Sequence, residues 1–385
     1  MHTGDYNHLA DFSESAMKIL HINSYYATND MYTQMYDRQA ARGDDITAYI
    51  PVPVGSSVSR PEYAVISKNH GKYDRILFHL KHKKILADAK KRFKDGNFDI
   101  VHSHSLFSNG YIAMQLKKEY GYPYITAVRI TDINTFFRRM PHLRSLGLEI
   151  LQNAERVIII ADALKKELFS KYIPEKMKAE LEKKTLVIPN GIDNFWHENM
   201  FVGKRKAPEK KLRVVTASKV CYNKNQITVC KALAKLAEKG YDIEYHIVGK
   251  VESKPIYKAV MKYPFVKYHS HMTKEGLKEL YRDMDIFVML SHVETFGLAY
   301  AEAMSQGLPV VYTKGQGFDG WFKEGEIGYA VSVLDIDGLN EAIEKIINNY
   351  DEMSARCPSS TTRFSWDVFV EQYDGIMKEC LQENK

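Results

Sequence analysis

The stretch IFVMLSHVETFGLAYAEAMSQGLPVVYT (286–313) contains two strand-like segments on either side of a helix-like one. It begins with a continuous apolar run typical of a strand buried on both faces, and residues 309–313 form a second such run. Between them, residues 299–306 are predicted to form a helix that is stopped by Gly307 and Pro309. A helix that connects two buried strands indicates a parallel sheet with a right-handed crossover.

The same alternation of strands and helices occurs along most of the chain, in two series. The first runs from KILHI (18–22) to KTLVIPNGID (184–193), and the second from LRVVTAS (212–218) to a helix at 337–349. A polar and basic segment, 194–211, joins them. Each series predicts a doubly wound Rossmann-like domain, in which ligands bind beyond the carboxyl ends of the strands. The predicted fold class is therefore α/β, with two such domains facing each other across a ligand-binding cleft.

The length of the chain also favours two domains, because 385 residues are too many for one hydrophobic core. Residues 1–16 are polar and lack periodicity, so we expect a disordered extension or a tag there. The first domain is predicted over 17–195 and the second over 196–365.

Composition indicates an ordinary globular protein of the cytoplasm. The formal charge of +6 is modest, and the sequence has neither a signal-peptide pattern nor an apolar run long enough to span a membrane. Four cysteines occur without a C-x-x-C pair, which suits a reducing compartment and gives no zinc signature. They are Cys221, Cys230, Cys357 and Cys380.

Two glutamates in the opening stretch point to a ligand that carries hydroxyl groups. Glu294 lies in the loop after the first strand, and Glu302 lies on the following helix. The helix N-terminus near Gly297 is a favourable place for phosphate or developing negative charge. Lys219 and Lys224 follow the first strand of the second series and would balance that charge. Two carboxylates beside an anion site fit a nucleotide-sugar.

Several segments occur in the order found in the family-4 retaining glycosyltransferases of the GT-B fold, and residues 17–380 resemble that family. ETFGLAYAEAMSQGLPVV is similar to the family's E-x7-E region, IPNGID to its interdomain turn, and FSWDVFVEQY to its closing helix. SKV followed by NK resembles the loop that grips the donor diphosphate. The resemblance implies an acceptor-side first domain, a donor-binding second domain, and a closing helix over 366–385 that returns to the first domain.

The resemblance also implies roles for residues in the opening stretch. Glu294 would hold hydroxyls of the donor sugar, and Glu302 would bind the ribose hydroxyls. The main-chain amides of Phe296, Gly297 and Leu298 would lie near the sugar and the β-phosphate.

Four further residues take roles from the family pattern. Lys219 and Lys224 would bind the donor phosphates. His104, in the HSH segment of the first domain, would face donor and acceptor. Arg129 stands where the family commonly has a histidine, and we expect it to bind an acidic group of the acceptor or the donor diphosphate. The implied mechanism is front-face retention, in which the leaving phosphate helps to deprotonate the acceptor and no cofactor or essential metal is needed.

The sequence departs from the family pattern at two loops. The loop after the first strand, NSYYATNDMYTQ (23–34), lacks the glycine pair through which the main chain of family members approaches the phosphates. Lys219 replaces an arginine, which makes its contact less directional.

Each assignment has a structural alternative. Glu294 and Glu302 could be a helix cap and a solvated helix face, and the two lysines could be ordinary surface residues. His104 could be a structural histidine, and Arg129 could simply pair with Asp132. The segments DMD (283–285) and DID (335–337) imitate a metal motif, but the first precedes a strand and the second starts a helix, where aspartate caps amides.

The basic charge is concentrated between Lys68 and Lys94, where ten Lys and Arg residues stand against Asp74 and Asp88, a formal +8. This segment is predicted to be a basic helix. It suits docking on an anionic membrane, since many members of the family use lipid-linked acceptors, and it equally fits a solvated helix face. It lacks the basic and aromatic pattern of a nucleic-acid-binding module, so no nucleic-acid partner is predicted.

The sequence thus predicts a retaining hexosyltransferase that uses a nucleotide-sugar, with UDP favoured, and a glycan or lipid-linked acceptor. The expected process is synthesis of a bacterial surface polysaccharide or glycolipid, in the cytoplasm or on the inner face of the cell membrane. One alternative is a non-catalytic nucleotide-sugar-binding protein. Another is an epimerase or phosphorylase of the same fold, although no pyridoxal-phosphate lysine context is recognisable.

Overall fold

A computed structural model describes residues 16–26, 31–57, 61–71, 74 and 77–383 of the chain. Apart from Ala16, the predicted N-terminal extension lies outside the described residues.

Seven strands form the first sheet. They are β1 (Lys18–Ile22), β2 (Asp45–Pro53), β3 (Ala64–His70), β4 (Ile100–Ser103), β5 (Tyr124–Val128), β6 (Arg156–Ile159) and β7 (Thr185–Val187). Their spatial order is β3-β2-β1-β4-β5-β6-β7, and the strands are parallel. The first series of the sequence therefore builds one doubly wound sheet.

Six strands form the second sheet. They are β8 (Lys211–Ala217), β9 (Asp242–Val248), β10 (Val266–His269), β11 (Ile286–Met289), β12 (Val310–Thr313) and β13 (Gly328–Val331). Their order is β10-β9-β8-β11-β12-β13, again with parallel pairing. The α/β class with two doubly wound sheets is confirmed.

Helices connect the strands and follow the second sheet. Those before β8 are α1 (Met31–Ala41), α2 (Phe78–Phe93), α3 (Tyr111–Tyr120), α4 (Arg144–Asn153), α5 (Asp162–Lys171), α6 (Glu175–Lys184) and α7 (Asn194–Glu198). Those after β8 are α8 (Gln226–Glu238), α9 (Lys254–Val260), α10 (Lys274–Asp283), α11 (Leu298–Ser305), α12 (Ile336–Asn348), α13 (Tyr350–Ser360) and α14 (Trp366–Glu383).

Each sheet reverses its strand order once, and this reversal places the candidate site. In the first sheet β1 lies beside β4, and in the second β8 lies beside β11. From such a pair the chain crosses over in opposite directions, which leaves a crevice at the carboxyl ends of the two strands. The loops after β8 and β11 carry Lys219, Lys224 and Glu294.

The core of the second sheet explains the hydrophobic patterns of its strands and helices. Val214, Ile286 and Val288 on the strands are fully buried, which matches their continuous apolar runs. On α12, Leu339 and Ile343 are buried one turn apart, so this helix covers the sheet with one apolar face.

Contacts between Cα atoms divide the chain into two compact units. Of the described residues, the first unit contains those from 16 to 127, 149–156 and 376–383, and the second contains 128–148 and 157–375. The boundary near residue 195 and the return of the closing helix stay predictions. Among the helices that the structure describes, none is both long and apolar enough to cross a membrane.

The structure corrects the predicted extent of the basic helix. Lys68 lies on strand β3, and the helix begins only at Phe78. Several elements have no counterpart in the sequence prediction, including β3 and β13, because their short or partly polar runs carry weak periodicity.

Candidate active site

Glu294 is held by contacts to its side chain and to its main chain. Its Oε2 atom lies 2.6 Å from Nζ of Lys224 and accepts a hydrogen bond of 3.0 Å from the Ser291 hydroxyl. Its amide donates to Oε1 of Gln316 at 2.9 Å, and its carbonyl accepts from the amide of Gly317 at 3.1 Å. The carboxylate is therefore oriented before any ligand binds.

Asn223 ties the loop that carries Lys224 to the loop that carries Glu294. Its carbonyl accepts from the amide of His292 at 2.8 Å. Its side-chain oxygen accepts from the amide of Val293 at 3.0 Å, and its side-chain nitrogen donates to the carbonyl of Val293 at 2.9 Å. These three hydrogen bonds join the carboxyl ends of β8 and β11 and bring the predicted lysine to the predicted glutamate.

Gly297 is required at the start of α11. It has a left-handed conformation with φ of +86°, and a Cβ atom there would come within 2.5 Å of the Tyr300 ring and 3.2 Å of Cγ of Glu294. The glycine therefore lets the chain turn directly from the Glu294 loop into the helix. The first amides of α11, beginning at Leu298, are among those that an α-helix leaves without intrahelical partners.

The side chain of Phe296 anchors this turn. It is 2% exposed, and its ring centroid lies 5.1 Å from that of Phe364, 5.7 Å from that of Phe318 and 6.0 Å from that of Trp321. The ring therefore packs in an aromatic cluster, and only the main chain of Phe296 can serve a ligand in the predicted way.

Glu302 lies on the second turn of α11 in a separate charged group. Burial raises the pKa of its carboxyl to about 7, while nearby Lys274 opposes this shift, Asp193 adds to it, and a hydrogen bond from Trp196 opposes it. Asp193 is paired with Lys274 and caps α7. The IPNGID segment thus contributes a carboxylate beside Glu302.

The structure separates the two predicted phosphate-binding lysines. Lys224 is mostly buried against Glu294, whereas Lys219 is exposed and lies 3.4 Å from Glu252. Only Lys224 is brought to Glu294.

Arg129 is 7% exposed and reaches the IPNGID segment. Its Nη1 atom donates to Oδ1 of Asn190 at 3.2 Å, and its amide donates to Oδ2 of Asp132 at 2.8 Å. The main-chain amide of Arg129 therefore contacts Asp132, and its guanidinium contacts Asn190 of the IPNGID segment.

A cavity of about 230 Å³ in the second unit is bordered by Glu294 and Gln316. On its other side lie Arg138 and Lys171, which both pair with Glu167, at 2.7 Å and 3.0 Å. Amide, carboxylate and basic side chains of this kind can bind the hydroxyl groups of a sugar.

In the first unit, His104 belongs to a buried polar cluster. Its Nε2 atom lies 3.1 Å from Nδ1 of His21 and 3.0 Å from the Tyr36 hydroxyl. Its ring stacks on that of His102, with centroids 4.0 Å apart. Burial lowers the pKa of His21 to about 3. The cluster forms because His21 and His102 stand opposite each other on β1 and β4.

The three imidazoles are candidates for holding a metal ion, since one ring nitrogen from each lies within 4.8 Å of the others. His102 and His104 are stacked, however, and Nε2 of His104 already faces two hydrogen-bonding partners. A metal ion needs ring nitrogens that converge in their own planes. The arrangement fits a hydrogen-bonded network better than a metal centre.

Sequence reasoning missed the residues that support the predicted ones. Gln316 and Asn223 bond to the main chain of the Glu294 loop, and Tyr36 bonds to the His104 ring. All three are distant in sequence from the groups they contact, and no periodic pattern marks them. Gly317 did have a signal, as part of a glycine-rich segment: a Cβ atom there would come within 1.8 Å of the Thr295 carbonyl.

Two family models match consecutive parts of the chain. Residues 31–194 match Glycosyltransferase Family 4, and residues 199–363 match Glycosyl transferases group 1.

Individual glycosyltransferases are also similar to this chain, at about a quarter of identical residues. A D-inositol 3-phosphate glycosyltransferase of Arthrobacter sp. (strain FB24) is 26% identical over 322 residues, which cover 77% of this chain and 75% of that protein. The capsular polysaccharide biosynthesis glycosyltransferase CapM of Staphylococcus aureus is 25% identical over 249 residues, covering 60% of this chain and 63% of CapM.

A solved structure supports the fold. The crystal structure of Anabaena Alr3699/HepE in complex with UDP-glucose has a TM-score of 0.65 at 15% identity, covering 95% of this chain and 100% of that one. Together with the two doubly wound sheets, the family matches identify the chain as a member of the group 1, family-4 glycosyltransferases, which are retaining enzymes of the GT-B fold that use nucleotide-sugar donors.

Proposed function

We propose that this protein transfers a hexosyl group from a UDP-sugar, with retention, to a hydroxyl of a glycan or lipid-linked acceptor. The observation that carries the proposal is the Glu294–Lys224 pair, 2.6 Å apart, beside the N-terminus of α11 at the switch point of the second sheet. The UDP-glucose bound by Anabaena HepE supports a UDP donor. The likeness to CapM supports a role in assembling a bacterial surface polysaccharide or glycolipid.

In this proposal the donor diphosphate binds near Lys224 and the main-chain amides of Phe296, Gly297 and Leu298. Helix N-terminal amides and an ammonium group both favour a phosphate. Lys219 is exposed and has one long contact to Glu252, so its flexible side chain is able to turn toward a phosphate as well.

The two glutamates would bind hydroxyl groups on either side of the diphosphate. Glu294 would accept hydrogen bonds from the donor sugar, and its pairing with Lys224 keeps it in position. Glu302 would accept hydrogen bonds from the ribose diol. Its partly buried position gives such bonds more weight than they have in water.

The proposed reaction needs no protein nucleophile. The bond from the anomeric carbon to the β-phosphate oxygen breaks, and a bond to the acceptor oxygen forms on the same face. The leaving nucleoside diphosphate takes the acceptor proton. Lys224 and the amides of α11 would stabilise the charge that develops on the diphosphate, so that catalysis rests on positioning and electrostatics.

Two residues outside the Glu294 pair complete the proposed catalytic set. His104 would contact the donor or the acceptor. Arg129, which Asn190 helps to orient, would bind an acidic group of the acceptor or the diphosphate. If Arg129→Ala leaves activity unchanged, this role is wrong.

We also propose that α2 docks on an anionic membrane, which would bring the enzyme to a lipid-linked acceptor. Leu77 and Leu80 are 59% and 42% exposed at the start of the helix. Lys83 and Lys91 are exposed, and neither has an acidic partner within the described part of the chain. Exposed leucines beside unpaired lysines are what an interfacial helix presents to anionic lipid.

The first experiment is a thermal-shift screen against UDP-, GDP- and ADP-sugars, followed by an assay of donor hydrolysis and transfer. A ligand that binds only the folded state raises the melting temperature. We expect a shift with the UDP-sugars that disappears in Glu302→Ala and Lys224→Ala. Glu341→Ala, which removes an exposed glutamate of α12, is the matched control and keeps the shift.

The outcomes separate the alternatives. A shift with GDP- or ADP-sugars alone would overturn the UDP donor. A shift with neither hydrolysis nor transfer would favour the non-catalytic binding protein. If no nucleotide-sugar produces a shift, the assignment of Glu294 and Glu302 to the donor site is wrong.

A further inference from the structure

The contacts of the Asn23 side-chain amide determine which of its ends is oxygen and which is nitrogen. From this orientation the proton positions of neighbouring Tyr36, His104 and His21 follow in turn. Its Oδ1 atom accepts a hydrogen bond of 2.9 Å from the amide of Tyr25. Its Nδ2 atom must then be the group that lies 2.9 Å from the Tyr36 hydroxyl. Since Nδ2 can only donate, the Tyr36 oxygen accepts this hydrogen bond.

Tyr36 therefore has its own hydroxyl proton to place. The side chain is fully buried, and Nε2 of His104 lies 3.0 Å from its oxygen. Burial also raises the pKa of Tyr36 well above its ordinary value, so the hydroxyl keeps its proton. A buried hydroxyl proton without an acceptor is costly, and the Tyr36 hydroxyl therefore donates to Nε2 of His104.

His21 approaches the same nitrogen. Its Nδ1 atom lies 3.1 Å from Nε2 of His104, and two unprotonated ring nitrogens at this distance would repel each other. A neutral His21 that carries its proton on Nδ1 removes the repulsion and supplies a second donor. Nε2 of His104 is then an acceptor that faces two donors.

We propose that Tyr36 and His21 fix His104 as the neutral tautomer that carries its proton on Nδ1. Nε2 is occupied, so His104 has no free nitrogen to act as a general base and instead offers its Nδ1–H group as a hydrogen-bond donor. Tyr36 and His21 are positioning residues. The assignment of this donor to a substrate oxygen rests on the proposed function, whereas the tautomer itself does not.

This state of His104 agrees with a front-face retaining reaction. There the leaving phosphate accepts the acceptor proton, and a protein base is not required. A neutral donor at a fixed position would instead orient a hydroxyl of the donor or the acceptor.

The tautomer is measured by long-range 1H–15N spectra of the full chain with labelled histidine, and His104→Gln identifies the signals of His104. We expect a protonated Nδ1 and an unprotonated Nε2.

In Tyr36→Phe the Nε2 signal should move further toward that of an unbonded imidazole nitrogen. Tyr26→Phe is the matched control, because the Tyr26 hydroxyl bonds to Thr33 at 3.0 Å, and its spectrum should keep the His104 signals in place. A protonated Nε2, or no response to Tyr36→Phe, would overturn the proposal.

A kinetic comparison tests the same assignment by a different route. An asparagine amide reaches about as far as Nδ1 of histidine, and a glutamine amide about as far as Nε2. We expect His104→Asn to exceed His104→Gln by about tenfold in kcat, with the donor KM similar in both. Equal or reversed values in two variants with matching melting temperatures would contradict the donor role. Failure to find any transfer would refute the proposed function and leave the spectroscopic result standing.

Discussion

The two glutamates of the candidate site differ in how their charge is held. Glu294 is paired with Lys224 at 2.6 Å, and its side chain is 12% exposed. The ionised form of Glu302 is disfavoured, because burial raises the pKa of its carboxyl to about 7 and nearby Lys274 offsets only part of that rise. The charge of Glu302 therefore changes near neutral pH.

Donor binding should therefore depend on pH. The folded-state pKa of Glu302 is raised to about 7 from 4.5, so burial of its ionised form lowers the stability of the unliganded protein as the pH rises from about 4.5 to about 7. Ribose hydroxyls need the ionised carboxylate as acceptor, so we expect donor affinity to rise about tenfold between pH 6 and pH 8. Calorimetric titration with a UDP-sugar at several pH values measures this.

Glu302→Gln is the control for that titration. It keeps the size of the side chain and removes the charge change, so its affinity should vary little with pH. If the variant shows the same rise as the wild type, another group is responsible.

Gly297→Ala should damage both stability and activity. The residue has a φ of +86°, and the added Cβ atom would come within 2.5 Å of the Tyr300 ring. A left-handed alanine alone costs about 1–2 kcal/mol, and the clash adds to it by displacing the Glu294 loop. Urea unfolding and transfer assays measure the two effects.

Gly121→Ala is the control that distinguishes backbone strain from the steric clash with Tyr300. Gly121 has a φ of +77°, and a Cβ atom there meets nothing within 4 Å. It should lose stability through strain alone and keep its activity. Equal losses in the two variants would show that the contact with Tyr300 is unimportant.

At the scale of elements, α2 is a helix with two distinct faces. His82, Ile85, Ala89 and Phe93 are buried and recur at the spacing of a single face. Several of the basic residues on the other faces are paired, including Lys84 with Asp74 and Arg92 with Asp88. The charge left for a partner is therefore smaller than the formal charge of the segment.

Membrane docking should depend on the unpaired lysines. We expect co-sedimentation with vesicles that contain anionic lipid and none with neutral vesicles. Reversal of Lys83 and Lys91 to glutamate should weaken binding by at least about tenfold, since each lysine near an anionic surface contributes about 1 kcal/mol.

Lys258→Glu combined with Lys262→Glu is the matched control. It makes the same change of charge on exposed lysines near α9, in the second unit. Equal loss in both double variants would indicate binding through net charge rather than through α2.

At the scale of the whole molecule, the thiols report on the integrity of the folded chain. Cys230, Cys357 and Cys380 are fully buried, and burial raises the pKa of each, to about 12 for Cys230 and Cys380. Cys221 is partly exposed in the loop that carries Lys224. Cys380 lies in the first unit, and the other two buried thiols lie in the second.

We expect one thiol to react rapidly with iodoacetamide in the native protein and all four to react in denaturant. Burial raises the pKa of the other three, so that few are ionised, and it shields them from the reagent. A bound UDP-sugar should slow labelling of Cys221, which mass spectrometry of the labelled peptides would show. Rapid native labelling of a buried cysteine would contradict the packing described here. Cys221→Ser controls for background modification.

The sequence by itself determined the class of the fold and the order of its main elements. Buried strands, helical spacing and the glycine of the E-x7-E region are local signals, readable within a few residues. β11, α11 and β12 therefore have nearly their predicted limits, whereas β3 and β13 lack a clear local pattern. The roles that the sequence assigns to Glu294 and Glu302 stay predictions.

Only the tertiary structure decided which side chains meet. Lys224 rather than Lys219 pairs with Glu294, and these partners are 70 residues apart in the chain. Tyr36 reaches His104 across 68 residues. Such contacts depend on strand order and register, which bring the ends of β8 and β11, or of β1 and β4, side by side. No short segment encodes that adjacency, because it arises when whole sheets form.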